Sequence, residues 1–229
     1  MEWQKESYKK GVVIPDWFSV FCSQSSQARA NFLRRLIDLS TSVTSLEHYV
    51  YLNTEARADL LWWKEFLLDW NGVEFLQDDP VSSRDISLFT DASDLGFGCV
   101  FGNEWTYGRW PAEWLAQPIF VREFFGIWVA VRTWGYLWVN KQILIHTDNM
   151  AAKDIWEKGT AKNKVIMLIV RVMFMYAARN NINILLKYIP GKKNVLADLL
   201  SRLQVTEFLH LHPNANAVPT IVPEEVWQV

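Results

Sequence analysis

The chain has 229 residues, with 23 Lys and Arg against 25 Asp and Glu for a formal net charge of −2, half its residues hydrophobic and 21% charged. That much apolar material supports a sizeable core and excludes general disorder, while the balanced charge excludes a wholly basic coat protein but leaves room for a local basic groove. Two cysteines, Cys22 and Cys99, make neither a disulfide framework nor a zinc cluster, which implies a reducing cytoplasmic or nuclear setting.

In chain order, residues 1–25 show no clear period, and nothing behind Met1-Glu2-Trp3-Gln4-Lys5 has the apolar core of a signal peptide. Helical spacing then occurs over Ala28–Leu39 and over Glu55–Trp70, the second opened by Asn53-Thr54 and stopped by Asn71-Gly72. Residues 1–80 therefore read as a small helical unit, closed by the polar, proline-containing joint at 77–83. Beyond it, Ile86–Asp91, Gly96–Phe101 and Glu104–Trp110 read as three closely spaced strands, hence an antiparallel meander. A long helix is expected from Val121 to Trp138 and a strand over Gln142–Thr147. Helices follow over Met150–Glu157 and Lys164–Arg179, then a strand over Ile182–Tyr188 and a helix over Asn194–Leu203. This order gives an α/β domain at 81–204 whose mixed sheet carries flanking helices. The longest apolar runs, 124–139 and 165–178, each carry a central arginine, Arg132 and Arg171, and are too short to span a bilayer, so no membrane partner is expected. Residues 205–229, rich in Asn, Pro and Ala, read as a linker or frayed tail.

Four acidic residues stand at element edges. Asp91 closes a strand, where aspartate is disfavoured, although the turn Ser93-Asp94-Leu95-Gly96 offers it a local role. Glu123 has an ordinary reason to open a helix, through the macrodipole, and Asp148 has one as an N-cap. Asp198 lies opposite the stripe Leu196, Leu199, Leu200 and Leu203 and four residues before Arg202, so a surface ion pair explains it locally. Four separate explanations are then needed. One suffices if the fourth strand lies beside the first: the carboxylates converge, repel one another, and call for divalent cations, for which hard oxygen donors suit Mg2+ or Mn2+.

Four segments carry a family resemblance: Thr90-Asp91-Ala92-Ser93-Asp94-Leu95-Gly96-Phe97-Gly98, Arg122-Glu123-Phe124-Phe125, His146-Thr147-Asp148-Asn149, and Ile189-Pro190-Gly191-Lys192-Lys193-Asn194-Val195-Leu196-Ala197-Asp198-Leu199-Leu200-Ser201-Arg202. Together they resemble the ribonuclease H domain of a retroelement reverse transcriptase, over about residues 84–204 and in the family's order. The closing segment resembles the long-terminal-repeat and tyrosine-recombinase branches. With Asp59-Leu60-Leu61-Trp62-Trp63 upstream, the nearest likeness is the DIRS-like group, residues 26–75 resembling the thumb or connection segment. The resemblance implies a ribonuclease H-like fold with a five-stranded mixed sheet, three antiparallel strands followed by two parallel additions. It also implies the catalytic and metal-binding set Asp91, Glu123, Asp148 and Asp198, an RNA/DNA hybrid as substrate, and the polymerase part of a reverse transcriptase as partner. One departure is that many ribonucleases H carry a histidine on the loop before the last acidic helix, and residues 187–194 have none. His146, on a strand, reads as structural.

Phosphodiester hydrolysis by two Mg2+ ions supplies an activated water, in-line geometry and leaving-group stabilisation. On that scheme Asp91 bridges both ions, Glu123 and Asp148 complete the ion on the leaving-group side, and Asp198 completes the one that activates water. Ser93, Gly96 and Asn149 flank the acids and are candidate substrate contacts. Lys187, Lys192, Lys193 and Arg202, with Lys158, Lys162 and Lys164, are candidate phosphate contacts. Integrase-like enzymes of the same broad fold present glutamate last rather than second, a proofreading exonuclease needs Asp-x-Glu on the first strand, and a polymerase needs an aromatic-x-Asp-Asp strand; none fits. The alternative from another class is a catalytically silent binding module that kept the fold.

Overall fold

The computed structural model describes residue 42, residues 51–69 and residues 88–228. The chain divides into two compact units, Met1–Glu74 and Phe75–Val229. The expected helix over 28–39 and the joint at 77–83 lie outside the described residues. So does the side-chain packing of Trp62, Trp63 and Trp70.

In the first unit, helix α1 spans Thr54–Asp69. Asn53 starts it by accepting the Ala56 backbone N–H on its Oδ1 at 2.8 Å, the donor-satisfying role of a good N-cap residue.

The second unit is built on one sheet. Its strands are β1 (Leu88–Ala92), β2 (Gly96–Phe101), β3 (Glu104–Arg109), β4 (Gln142–Thr147) and β5 (Asn183–Tyr188), in the spatial order β3-β2-β1-β4-β5. The first three pair antiparallel; β4 adds parallel to β1 and β5 parallel to β4. This is the five-stranded mixed sheet that the resemblance implies, three antiparallel strands followed by two parallel additions. Helices α2 (Ala112–Leu115) and α3 (Ile119–Trp134) connect β3 to β4, with a tight 3-10 turn at Gly135–Leu137. Helices α4 (Met150–Lys158) and α5 (Lys164–Arg179) connect β4 to β5. After β5 come a tight turn at Gly191–Lys193, then α6 (Val195–Ser201) and α7 (Val205–Leu211).

Side-chain alternation decides which helix lies on which face. Cys99, midway along β2, donates its Sγ hydrogen to the carbonyl of Gly126 on α3 at 3.6 Å. Its neighbour Gly98 points the other way, where a Cβ would meet the Ser201 backbone nitrogen of α6 at 2.6 Å. Helix α3 thus covers one face and α6 the opposite one. The apolar residues of α3, including Phe124, Phe125, Ile127, Val129 and Val131, are buried. That all-round burial explains why the sequence of this helix shows so little amphipathic contrast. Arg171, mid-helix in α5, keeps the helix from reading as a membrane span, and no described helix is long and apolar enough to cross one.

The reading of residues 205–229 as a frayed tail is corrected. Phe208 on α7 is fully buried in a cluster with Val100, Trp105, Leu199 and Leu200. The chain then runs along the outer edge of β3. Trp105 Nε1 donates to the Asn216 carbonyl at 2.8 Å, the Thr220 N–H donates to the Trp105 carbonyl at 2.7 Å, and Thr106 Oγ1 donates to the Thr220 carbonyl at 2.8 Å. On the α3 face, Trp128 Nε1 donates to the Val226 carbonyl, and Trp227 stacks on Phe125 with ring centroids 5.4 Å apart. A strap of this kind occupies backbone groups that an edge strand would otherwise offer to another chain. The unit that carries the sheet therefore does not end at 204.

Candidate active site

Position follows from strand register. In the parallel β1–β4 pair Phe89 lies opposite His146, so two residues further along both strands stand Asp91 and Asp148. Glu123 projects from the second turn of α3, since that helix starts at Ile119 after Pro118 and carries no acid in its first turn. Asp198 lies on α6, which packs across β1 and β2. The four acids thus stand on four separate elements, with the charges of Asp148, Asp198 and Glu123 each acting on Asp91.

Their electrostatics register the approach. Burial pushes the Asp91 carboxyl up to about 7; a hydrogen bond from Ser201 opposes this, and the charges of Asp148, Asp198 and Glu123 each push it further up. Asp148 is raised by burial and by the charge of Asp198, against hydrogen bonds from its own backbone N–H and from the side chains of Asp91 and Asn194. Glu123 is raised by burial and by the charge of Asp148, against a hydrogen bond from Asn149. Like charges gathered at a half-buried site cannot all ionise cheaply without a compensating cation.

Each acid also has a protein partner. Ser201 Oγ donates to Asp91 Oδ2 at 2.6 Å, and Arg202 Nε donates to Asp198 Oδ1 at 2.8 Å. Asn194, almost fully buried, donates from Nδ2 to the Thr90 carbonyl at 2.9 Å and hydrogen-bonds Asp148, so one amide ties β1 to the end of β4. Gly191 passes so close to Asp148 that a Cβ there would lie 2.9 Å from Oδ2. These contacts give physical content to the spacing Pro190-Gly191-Lys192-Lys193-Asn194 followed by Ala197-Asp198-Leu199-Leu200-Ser201-Arg202.

Asp148 is not an N-cap: Asn149 caps α4, its Oδ1 accepting the Ala152 N–H at 2.9 Å. The local reading of Asp198 holds alongside the site reading, since its ion pair with Arg202 is present and half-exposed. His146 stacks on Phe89 with centroids 4.7 Å apart and reaches the Leu88 carbonyl through Nδ1; burial pushes its pKa down. It packs the strand, as expected.

Two candidate substrate contacts, Ser93 and Gly96, are buried. The Ser93 hydroxyl is buried and fully used: it donates to the Ser201 carbonyl at 2.7 Å and accepts the N–H groups of Leu95 and Gly96. Gly96 is buried in β2 against the Gly108 carbonyl, where a side chain would collide. Both residues shape the β1–β2 turn rather than face solvent. Arg122 secures the same turn, donating from Nη2 to Asp94 Oδ1 at 2.7 Å and from Nη1 to the Asp94 carbonyl at 3.3 Å. Asn149 is half-buried between Glu123 and α4, while Lys187, Lys192, Lys193 and Arg202 are exposed around the acids' end of the sheet.

The donor chemistry of four carboxylates suits hard divalent cations, and among the described residues the one cysteine, Cys99, is sealed in the core. Among the described residues, no three His, Cys, Asp or Glu side chains already converge at metal-ligand spacing.

No protein-family model matches the chain, and no curated protein does. Among solved structures, it is similar to the ribonuclease H1 LC11 in complex with an RNA/DNA hybrid, at 16% identity and a TM-score of 0.44 over 55% of this chain and 99% of that one. The ribonuclease H1 of the halophilic archaeon Halobacterium salinarum NRC-1 is similar at 13% identity, TM-score 0.41, over 53% and 98%. The protease-reverse transcriptase of prototype foamy virus is similar at 15% identity, TM-score 0.35, over 78% of this chain and 23% of that one. At these identities and scores the likenesses describe backbone only, and the functional reading rests on the residues themselves.

Proposed function

We propose that this chain is a divalent-metal-dependent endonuclease that hydrolyses the RNA strand of RNA/DNA hybrids, as the ribonuclease H part of an LTR- or DIRS-like retroelement reverse transcriptase. The observation that carries the reading is placement: Asp91 and Asp148 stand two residues beyond the paired Phe89 and His146 of adjacent parallel strands, and α6, which carries Asp198, packs across β1 and β2.

Asp91, Glu123, Asp148 and Asp198 would hold two Mg2+ ions, with Mn2+ able to substitute. Bound there, the pair would neutralise the crowded carboxylates, lower the pKa of a water and stabilise the departing oxygen. The chain's own groups do the rest. Ser201, Asn194 and Asn149 orient the carboxylates, and the Arg122-braced turn after β1 keeps Asp91 on a rigid strand. Lys187, Lys192, Lys193 and Arg202 attract phosphates electrostatically, and recognition of the RNA strand falls to 2′-hydroxyl and shape contacts along the groove. The polymerase part of the parent protein is the proposed partner, residues 1–80 its connection-like segment, and the cytoplasm or nucleus the proposed setting.

The test is substrate class. Given Mg2+, the chain is expected to cut an end-labelled RNA strand annealed to DNA, to leave the DNA strand and a DNA duplex whole, and to stop on chelation. An equal rate on the DNA duplex, or cleavage unaffected by chelation, would overturn the reading.

A further inference from the structure

The acids have neighbours whose geometry is as specific as their own, and Ser201 stands out among them. Its side chain is fully buried at the last turn of α6, and its hydroxyl carries one hydrogen. Two acceptors are within reach: Asp91 Oδ2 at 2.6 Å and, one turn back on its own helix, the Asp198 carbonyl at 2.9 Å. The shorter contact is the charge-assisted one and takes the hydrogen whenever Asp91 is ionised.

That contact exists because of the residue facing Asp91 across the sheet. Gly98 pairs with Asp91 in the β1–β2 register, and the absence of a Cβ there lets α6 lie on the strand so closely that the Ser201 backbone nitrogen would be 2.6 Å from one. The helix end is locked from a third direction, since Ser93 Oγ donates to the Ser201 carbonyl at 2.7 Å. Gly98, Ser93 and Ser201 together leave the hydroxyl little freedom to point elsewhere.

We infer that Ser201 is a positioning residue for metal binding: by donating to Oδ2 it fixes the rotamer of the Asp91 carboxylate and reserves that group's remaining acceptor capacity for divalent cations. The inference rests on the metal-dependent nuclease reading above and adds to it a residue outside the acidic set. A hydrogen bond of this outer kind changes metal affinity by roughly 10- to 100-fold when removed.

Mn2+ alone, titrated into the metal-free chain and followed by electron paramagnetic resonance, is the direct probe, with hybrid cleavage measured beside it. Ser201→Ala is expected to weaken Mn2+ binding about tenfold and to lower kcat to a similar degree, with KM for the hybrid unchanged. Ser201→Cys keeps the buried volume but donates poorly, so it is expected to follow Ser201→Ala, and it serves if the alanine variant unfolds. Wild-type Mn2+ affinity and kcat in a folded variant, even with a lowered unfolding midpoint, would overturn the inference and leave the nuclease reading intact. A wild-type chain that neither binds Mn2+ nor cleaves the hybrid would overturn both.

Discussion

Asp91→Asn is expected to make the metal-free protein more stable at pH 8, not less. The wild-type carboxyl is pushed up to about 7 in the folded chain from an ordinary value near 3.8, chiefly by burial. Between those values the folded state holds a proton that the unfolded state has released, so wild-type stability falls as pH rises from about 4 to 7 and is level above. Asparagine removes the charge, keeps an oxygen to accept from Ser201, and escapes the fall. At one pKa unit per 1.36 kcal/mol the gain at pH 8 is at most about 4 kcal/mol, and it shrinks to nothing below pH 4. Denaturation midpoints of the two proteins across pH 4 to 8 check this. Added Mg2+ is expected to close the gap by stabilising the wild type preferentially. A variant less stable than wild type at pH 8 without metal would mean that Asp91 is not a crowded carboxylate.

Removal of residues 205–229 is expected to abolish cooperative folding of the second unit, or to lower its unfolding midpoint by more than 15 °C on the order-of-magnitude scale for a domain of this size. Truncating one buried phenylalanine costs about 3–5 kcal/mol, and a domain's whole stability is about 5–15 kcal/mol. This deletion removes Phe208 and Val226, both fully buried, uncovers Trp105, and takes Trp227 from Phe125 and Phe97. Phe208→Ala alone is the milder form and isolates the packing under α6, the helix that carries Asp198 and Ser201. Thermal unfolding followed by near-ultraviolet circular dichroism reads both. An unchanged midpoint after the deletion would show that the strap contributes nothing.

That strap also marks where sequence reasoning stops. The strands at Gly96–Phe101 and Gln142–Thr147 and the helix at Lys164–Arg179 have the bounds their patterns predict, because each satisfies its own period with its own residues. Residues 205–227 are held by groups about a hundred positions away: Trp105 donates to the Asn216 carbonyl and Trp128 to the Val226 carbonyl. No local period records such contacts. The short helix Ala112–Leu115, one turn between prolines, escapes for the related reason that it is too brief to show a period.

The site divides the same way. The four acids were conspicuous as candidates because acidic residues are out of place at strand ends and on otherwise apolar helices. Their supports were not, because Ser201, Asn194, Ser93 and Arg122 are ordinary polar residues whose partners lie 28 to 110 positions away along the chain. Nearness in sequence to Asp91 makes Ser93 and Gly96 candidate substrate contacts. The turn folds inward instead, because the Ser93 hydroxyl satisfies two backbone donors and one carbonyl there.

The most direct measurement of the central claim is cleavage of an RNA/DNA hybrid labelled on the RNA strand, in Mg2+ and in Mn2+, by the wild-type chain beside Asp91→Asn and Asp148→Asn. The wild type is expected to cut, and each variant to lose at least about a thousandfold in rate while remaining folded, as befits groups that act as one unit. A hybrid left intact by the wild type in both metals, or cleavage that survives either substitution, would contradict the assignment of these carboxylates to catalysis.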